Sequence, residues 1–149
     1  MNSEIIFNLL SHLRADQKPL WGKMTPQHMV EHLYKTVQAS INEIELGVFS
    51  EERKIPVLKR LFLGERELPK DFMNPVIGPE LLALEFKDLQ TAIVELKKII
   101  SRYDDYFNAN PSAKTAHPVF GYLTKDEWDK FHEKHYKHHL SQFGLPDKT

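Results

Sequence analysis

Apolar residues along most of the chain recur at helical rather than strand spacing. Ile5, Ile6, Leu9, Leu10 and Leu13 predict a first helix over roughly residues 3–14, with this set facing inward. Thr25-Pro26 pairs a hydroxyl cap with proline at the first helical position, a strong start signal for a second helix. That helix should turn Met29, Val30, Leu33, Val37, Ile41 and Ile44 inward and stop near Gly47. Residues 56–64 read as one short helix. Leu89, Ala92, Ile93, Leu96, Ile99, Ile100, Tyr103 and Tyr106 keep a three-four spacing that predicts a long helix ending before Asn110-Pro111. Thr124 and Glu127 match the capping box of a last helix that should run to Phe143 and be closed by Gly144 and Pro146.

No strand-like alternation competes with this pattern, and there is no internal repeat or low-complexity tract. Residues 65–85, with Pro69, Pro75 and Pro79, read as a long connection. Four long helices and one additional short one make an all-α, antiparallel-type bundle the economical architecture. The 149 residues suit one domain spanning 1–149, and 41% hydrophobic residues suffice for a packed core.

Charge narrows the function. Twenty basic residues against 21 acidic ones give a formal charge of −1, so the basic footprint of a nucleic-acid binder is absent. There is no Cys, which excludes disulfides, thiolate metal ligands, Fe–S clusters and a cysteine nucleophile. The apolar runs are far shorter than the ~20 residues of a membrane span. At the N-terminus, Glu4 and Asn8 interrupt the pattern of a signal peptide, so a soluble cytoplasmic protein is expected.

Four of the eight histidines lie between positions 132 and 139. With Phe131 taken as zero and about 100° per residue, Trp128, His135, His138, His139 and Gln142 all fall within roughly 80° of it. Glu133, Tyr136 and Leu140 point elsewhere, and His132 lies on the flank as ordinary surface. Trp128 and Phe131 read as core. Imidazoles on an inward stripe need partners, and a divalent metal ion is one that several can share. His135 and His139, four apart, can converge on one ion; His135 and His138 are a competing pair. A third ligand must come from elsewhere: His12, His28, His32 or His117. Adjacency to the apolar face through Met29 and Thr36 favours His32. His132-Glu133-Lys134-His135 is not a zincin signature, because its histidines are three apart rather than four.

Two blocks resemble a known family. Trp21-Gly-Lys-Met-Thr-Pro-Gln-His-Met-Val-Glu-His32-Leu is the first. The second is His117-Pro-Val-Phe-Gly-Tyr-Leu-Thr-Lys-Asp-Glu-Trp128 with the following His135-Tyr-Lys-His-His-Leu-Ser-Gln-Phe-Gly144. Together they are similar to a DUF1569-type branch of the DinB/YfiT-like superfamily. The resemblance implies a four-helix bundle of up-down-down-up topology, which would account for the long 65–85 connection. It implies a metal held by His32, His135 and His139. Gln142 matches a family position after the last ligand, whereas the family's Arg is replaced around Leu140-Ser141. Gln142, and His138 beside it, are therefore candidate supporting or cofactor-binding residues. Characterised relatives include transferases and isomerases that use low-molecular-weight thiols, and a homodimer is implied by resemblance alone.

Three protein ligands leave a coordination position open, the mark of a catalytic site. The expected function is a metal-dependent transferase or hydrolase that activates a thiol or water against a small electrophilic substrate. Zn is the first choice of ion, with Ni, Fe, Co or Mn as alternatives for all-imidazole ligation. No residue stands out as a general base. The alternative is a non-catalytic metal-binding or stress-response bundle protein. Metal binding should weaken as pH falls toward 5, since imidazole must be neutral to ligate.

Overall fold

The computed structural model describes residues 3–70, 72 and 81–145. Helix α1 spans Ser3–Leu10, α2 Pro26–Ser40, α3 Ile55–Phe62, α4 Leu89–Ala109 and α5 Lys125–Ser141. A 3-10 turn at Glu52–Lys54 leads into α3. Between α4 and α5 lies a hairpin of two short antiparallel strands, β1 (Thr115–His117) and β2 (Gly121–Leu123). The chain is thus mostly helical, with one small two-stranded sheet.

Local chemistry explains where the helices start. The Thr25 hydroxyl accepts the His28 N–H at 3.2 Å and Pro26 occupies the first turn of α2. Asp88 Oδ1 accepts the Thr91 N–H at 2.8 Å to open α4. At α5 the capping box is complete: Thr124 Oγ1 accepts from Glu127 N at 3.3 Å and Glu127 Oε1 accepts from Thr124 N at 3.1 Å. Lys59 of α3 reaches the other oxygen of Glu127 at 3.0 Å, tying the short helix to this start.

The ends depart from expectation in three places. Helix α1 stops at Leu10 and tightens into i→i−3 bonds through Leu13, so Ile6, Leu10 and Leu13 are buried while Ile5 stays exposed. Helix α2 stops at Ser40, not near Gly47. Asn42 takes the left-handed conformation (φ 60°), which asparagine tolerates, and Ile44 falls outside the core. The 115–123 segment, expected as a loop, pairs Thr115 with Leu123, Ala116 with Tyr122 and His117 with Gly121. Gly121 has φ +69°, the left-handed region that favours glycine, and a Cβ there would lie 2.9 Å from Ile55 Cδ1, so that side chain would also have to shift. The connection at 65–85 lies partly outside the described residues, as does Pro146 beyond the end of α5.

α2 packs mainly on α4, and both α1 and α2 also touch α5. The core joins Met29, Val30, Leu33 and Val37 of α2 to Ala92, Leu96, Ile99 and Phe107 of α4 and to Trp128, Phe131 and Leu140 of α5. Glu31, buried beside this core, accepts the backbone N–H of Glu85 at 2.7 Å and of Phe86 at 3.3 Å. It thereby fastens the segment before α4 onto α2. No helix among the described residues is long and apolar enough to cross a membrane.

Losing the α5 cap should be measurable. Thr124→Ala is expected to lower the unfolding free energy by about 1 kcal/mol in a urea titration; an unchanged midpoint would contradict the role given to the cap.

Candidate metal centre

α2 and α5 bring three imidazoles edge to edge. Nε2 of His135 lies 2.9 Å from Nε2 of His32 and 3.0 Å from Nε2 of His139. Their ligating atoms all fall within 4.8 Å of one another, and all three residues are buried. The helix geometry explains the α5 pair, since residues four apart stack on one face. His32 is delivered from the facing helix. Behind His139, Gln142 Oε1 lies 2.8 Å from Nδ1. The Gln142 carbonyl in turn accepts Leu20 N–H at 2.6 Å, and Gln17 Nε2 donates to the Phe143 carbonyl at 3.0 Å. The 17–24 strap therefore lies against the end of α5. Gly22 (φ +81°) comes so close that a Cβ would sit 3.2 Å from Gln142 Nε2.

Burial sets the protonation state. Loss of solvent lowers the His32 pKa to about 4, with His138 and Lys35 adding repulsion. Burial, and then the neighbouring imidazoles, push His135 and His139 well below the ordinary histidine value. At neutral pH the three rings carry no charge and offer lone pairs.

Proton placement then tests whether the donor set fits a cation. Gln142 Oε1 accepts only an N–H, so His139 carries its proton on Nδ1 and presents a bare lone pair at Nε2. If His135 Nε2 is protonated, one proton must serve two acceptors or meet a second N–H. If it is bare, two lone pairs face each other 3.0 Å apart. A cation among the three nitrogens removes this conflict. Nitrogens bound at 2.0–2.1 Å to one tetrahedral ion lie about 3.3 Å apart. The two separations from His135, 2.9 and 3.0 Å, need only a few tenths of an ångström of adjustment, and the whole set lies within 4.8 Å. Nδ1 of His32 and Nδ1 of His135 are buried with no hydrogen-bond partner, so each ring is free to carry its proton there and leave Nε2 for an ion. The residues fit a divalent metal ion.

The sequence profile of the family described as Protein of unknown function (DUF1569) matches residues 7–145. The chain belongs to the DUF1569 family. No curated protein and no solved structure matches it significantly.

The other histidines of this DUF1569 chain have different places. His12 Nδ1 donates to the Asn8 carbonyl at the exposed end of α1. His28 Nδ1 lies 2.6 Å from its own helix cap, Thr25 Oγ1. His117 is buried in the hairpin turn, where Nδ1 accepts the N–H groups of Val119 (3.0 Å) and Phe120 (3.3 Å) and its ring packs on Phe131. None of these three joins the cluster. His138 stands beside it: its ring is edge-on to His139, 4.9 Å between centroids, and edge-on to Trp21.

Two expectations for α5 are corrected. His132 is not ordinary surface but 5% exposed, stacked on Trp128, with Nε2 3.1 Å from Ser40 Oγ. Tyr136 and Leu140 are buried as well. α5 is enclosed on several sides because α4 and the hairpin cover the flank that a single-stripe reading leaves to solvent. Glu31 also went unrecognised; the hydrophobic pattern gives no hint of a buried carboxylate next to His32.

Acid should destabilise the fold through these buried rings. Burial lowers the pKa of both His117 and His132 to about 3, below the value of about 6.5 in an unfolded chain. The unfolded state therefore binds more protons, and stability present above about pH 6.5 is lost as pH falls toward 3. Urea midpoints should decline steadily from pH 7 to pH 4; a flat profile would contradict buried neutral histidines.

Proposed function

We propose that the protein is a metal-dependent enzyme whose ion is held by His32, His135 and His139, with Gln142 supporting His139. The observation that carries the reading is the convergence of three neutral Nε2 atoms, one of them stripped of its proton by Gln142. A divalent ion there would supply Lewis acidity to lower the pKa of a bound water or low-molecular-weight thiol. Zn suits all-imidazole ligation best, with Ni, Fe, Co or Mn as alternatives. The chain's own contribution is to keep the three rings uncharged, to aim them, and to exclude competing protons. The Gln142 contact fixes the tautomer of His139. His138, whose ring contacts both His139 and Trp21, is the further supporting or cofactor-binding residue of this reading.

The reaction class proposed with it is transfer of a thiol to, or hydrolysis of, a small electrophilic substrate; the thiol comes from the family resemblance, and Lewis acidity at the ion would serve either reaction. The superfamily proposed is DinB/YfiT-like, with α1, α2, α4 and α5 as an up-down-down-up bundle in one domain; α1, expected as a long helix, spans only eight residues, as short as α3. What supports a bundle of these helices is that α1 and α2 each touch both α4 and α5; the up-down-down-up order comes from the family resemblance. A second reading, a metal-stabilised protein without turnover, draws on one observation. Glu31, the buried carboxylate adjacent to His32, is committed to backbone N–H groups rather than available as a base.

Metal analysis of untagged protein separates these readings from a plain helical scaffold. About one divalent ion per chain is expected, with His135→Ala losing it. Gln142→Leu should keep the fold but weaken affinity about 10–100-fold. Turnover of thiol-transfer or ester substrates, abolished by His135→Ala, would select the enzyme; catalysis that survives full metal removal would contradict it. Because burial lowers the pKa of His32 to about 4, the ion should still be retained at pH 5, below the range in which the sequence alone predicts its loss, and be released only at lower pH. Release already complete at pH 6 would contradict buried ligation.

A further inference from the structure

A second polar contact joins α2 to α5, one turn from the ligand pair. His132 precedes His135 by three residues, and Ser40 follows His32 by eight. The Ser40 hydroxyl donates to the Val37 carbonyl at 2.6 Å, so its oxygen receives the His132 Nε2 proton at 3.1 Å. The Ser40 carbonyl accepts Thr115 Oγ1 at 2.7 Å, and Thr115 Oγ1 accepts Trp128 Nε1 at 2.6 Å. The circuit thus leaves α5 at His132, crosses α2 at Ser40, passes through β1 at Thr115 and returns to α5 at Trp128. Ser40 and Thr115 are essentially inaccessible. The His132 ring is sandwiched between Trp128 (5.1 Å, 23°) and Tyr136 (5.9 Å, 16°), with Tyr103 edge-on at 5.1 Å.

Packing alone does not account for a histidine in that slot. Three aromatic rings surround it, so a phenylalanine would fill the same space without burying a polar atom. As it stands, Nδ1 of His132 is buried with no hydrogen-bond partner. Such an atom is tolerated at a cost in stability, and the best attested return for buried polar groups is register. Apolar surfaces let helices slide; a hydrogen bond to one oxygen does not. Sliding α5 by one residue would move each of its ligands by about 1.5 Å and 100°. That would pull His135 and His139 out of convergence with His32.

We propose that Ser40 and His132 form a positioning pin that sets the register of α5 on α2, and through it the spacing of the three imidazoles. The proposal rests on the metal reading above and adds the element that tunes it. Neither residue touches the ion; both act through the ligands. Metal affinity and coordination geometry, rather than stability, are what the pin controls.

The test is a Co(II) titration of metal-free wild type, His132→Phe, Ser40→Ala and the double variant, followed by the d–d spectrum, with melting temperatures of the four metal-free proteins. Each single variant is expected to weaken Co(II) binding by about tenfold and to alter the d–d bands. The double variant should be little worse than either single, as for two halves of one contact. Metal-free His132→Phe should melt at or above the wild-type temperature. Affinities and spectra that stay at wild-type values, with melting temperatures lowered, would overturn the pin and leave a structural contact. If His132→Phe does not fold, Ser40→Ala, which removes one oxygen, decides between the same two outcomes. Failure of wild type to bind Co(II) would overturn the metal reading and the pin together, whereas tight binding by every variant overturns the pin alone.

Discussion

Three imidazoles share a space from which water is largely excluded, and they can do so only uncharged. Each ring brings two nitrogens that must be paired or left at a cost of roughly 1–3 kcal/mol per buried atom. The Gln142 amide settles one nitrogen of His139, while Nδ1 of His32 and Nδ1 of His135 stay unpaired. A core built only for stability would fill this position with leucine or phenylalanine. The polar cluster is held together because the surrounding elements leave it no alternative: α2 delivers His32, two turns of α5 deliver the pair, and the 17–24 strap closes against Gln142.

The same logic extends outward. Glu31, next to His32, is fastened to the backbone of Glu85 and Phe86, so the chain entering α4 is clamped to the helix that carries a ligand. The capping box at Thr124 and the ion pair from Lys59 to Glu127 fix where α5 begins. The hairpin serves as a brace, with Thr115 bonded to both α2 and α5. Each of these devices lies away from the three nitrogens, and each constrains a helix that presents them.

How much of this can be read from sequence depends on the range of the interaction. Local signals were legible: Thr25-Pro26, the Thr124–Glu127 box and the 89–109 periodicity all act within a few residues. The His135–His139 pair was legible only as one of two, since spacing also allows His135 with His138 and the family resemblance chose between them. His32 was a weaker inference from periodicity, since its partner is 103 positions away, and the family resemblance did more to single it out. The hairpin escaped because three-residue strands are too short for alternation to register. α2 was expected too long because Ile41 and Ile44 continue its apolar period. Asn42, in the left-handed region, and the Thr115 bond to the Ser40 carbonyl mark its actual end. His132 was misjudged since a helix wheel assumes one buried face, and α5 has more than one.

The chemistry available at such a centre is narrow. Neutral nitrogen donors would hold a borderline divalent ion, would leave part of its coordination shell open and would add no negative charge of their own. X-ray absorption at the Zn edge of the zinc-loaded chain tests this most directly. The account predicts three imidazole nitrogens at about 2.0–2.1 Å and loss of one of them in His32→Ala. An all-oxygen shell, or one unchanged by that substitution, would contradict it.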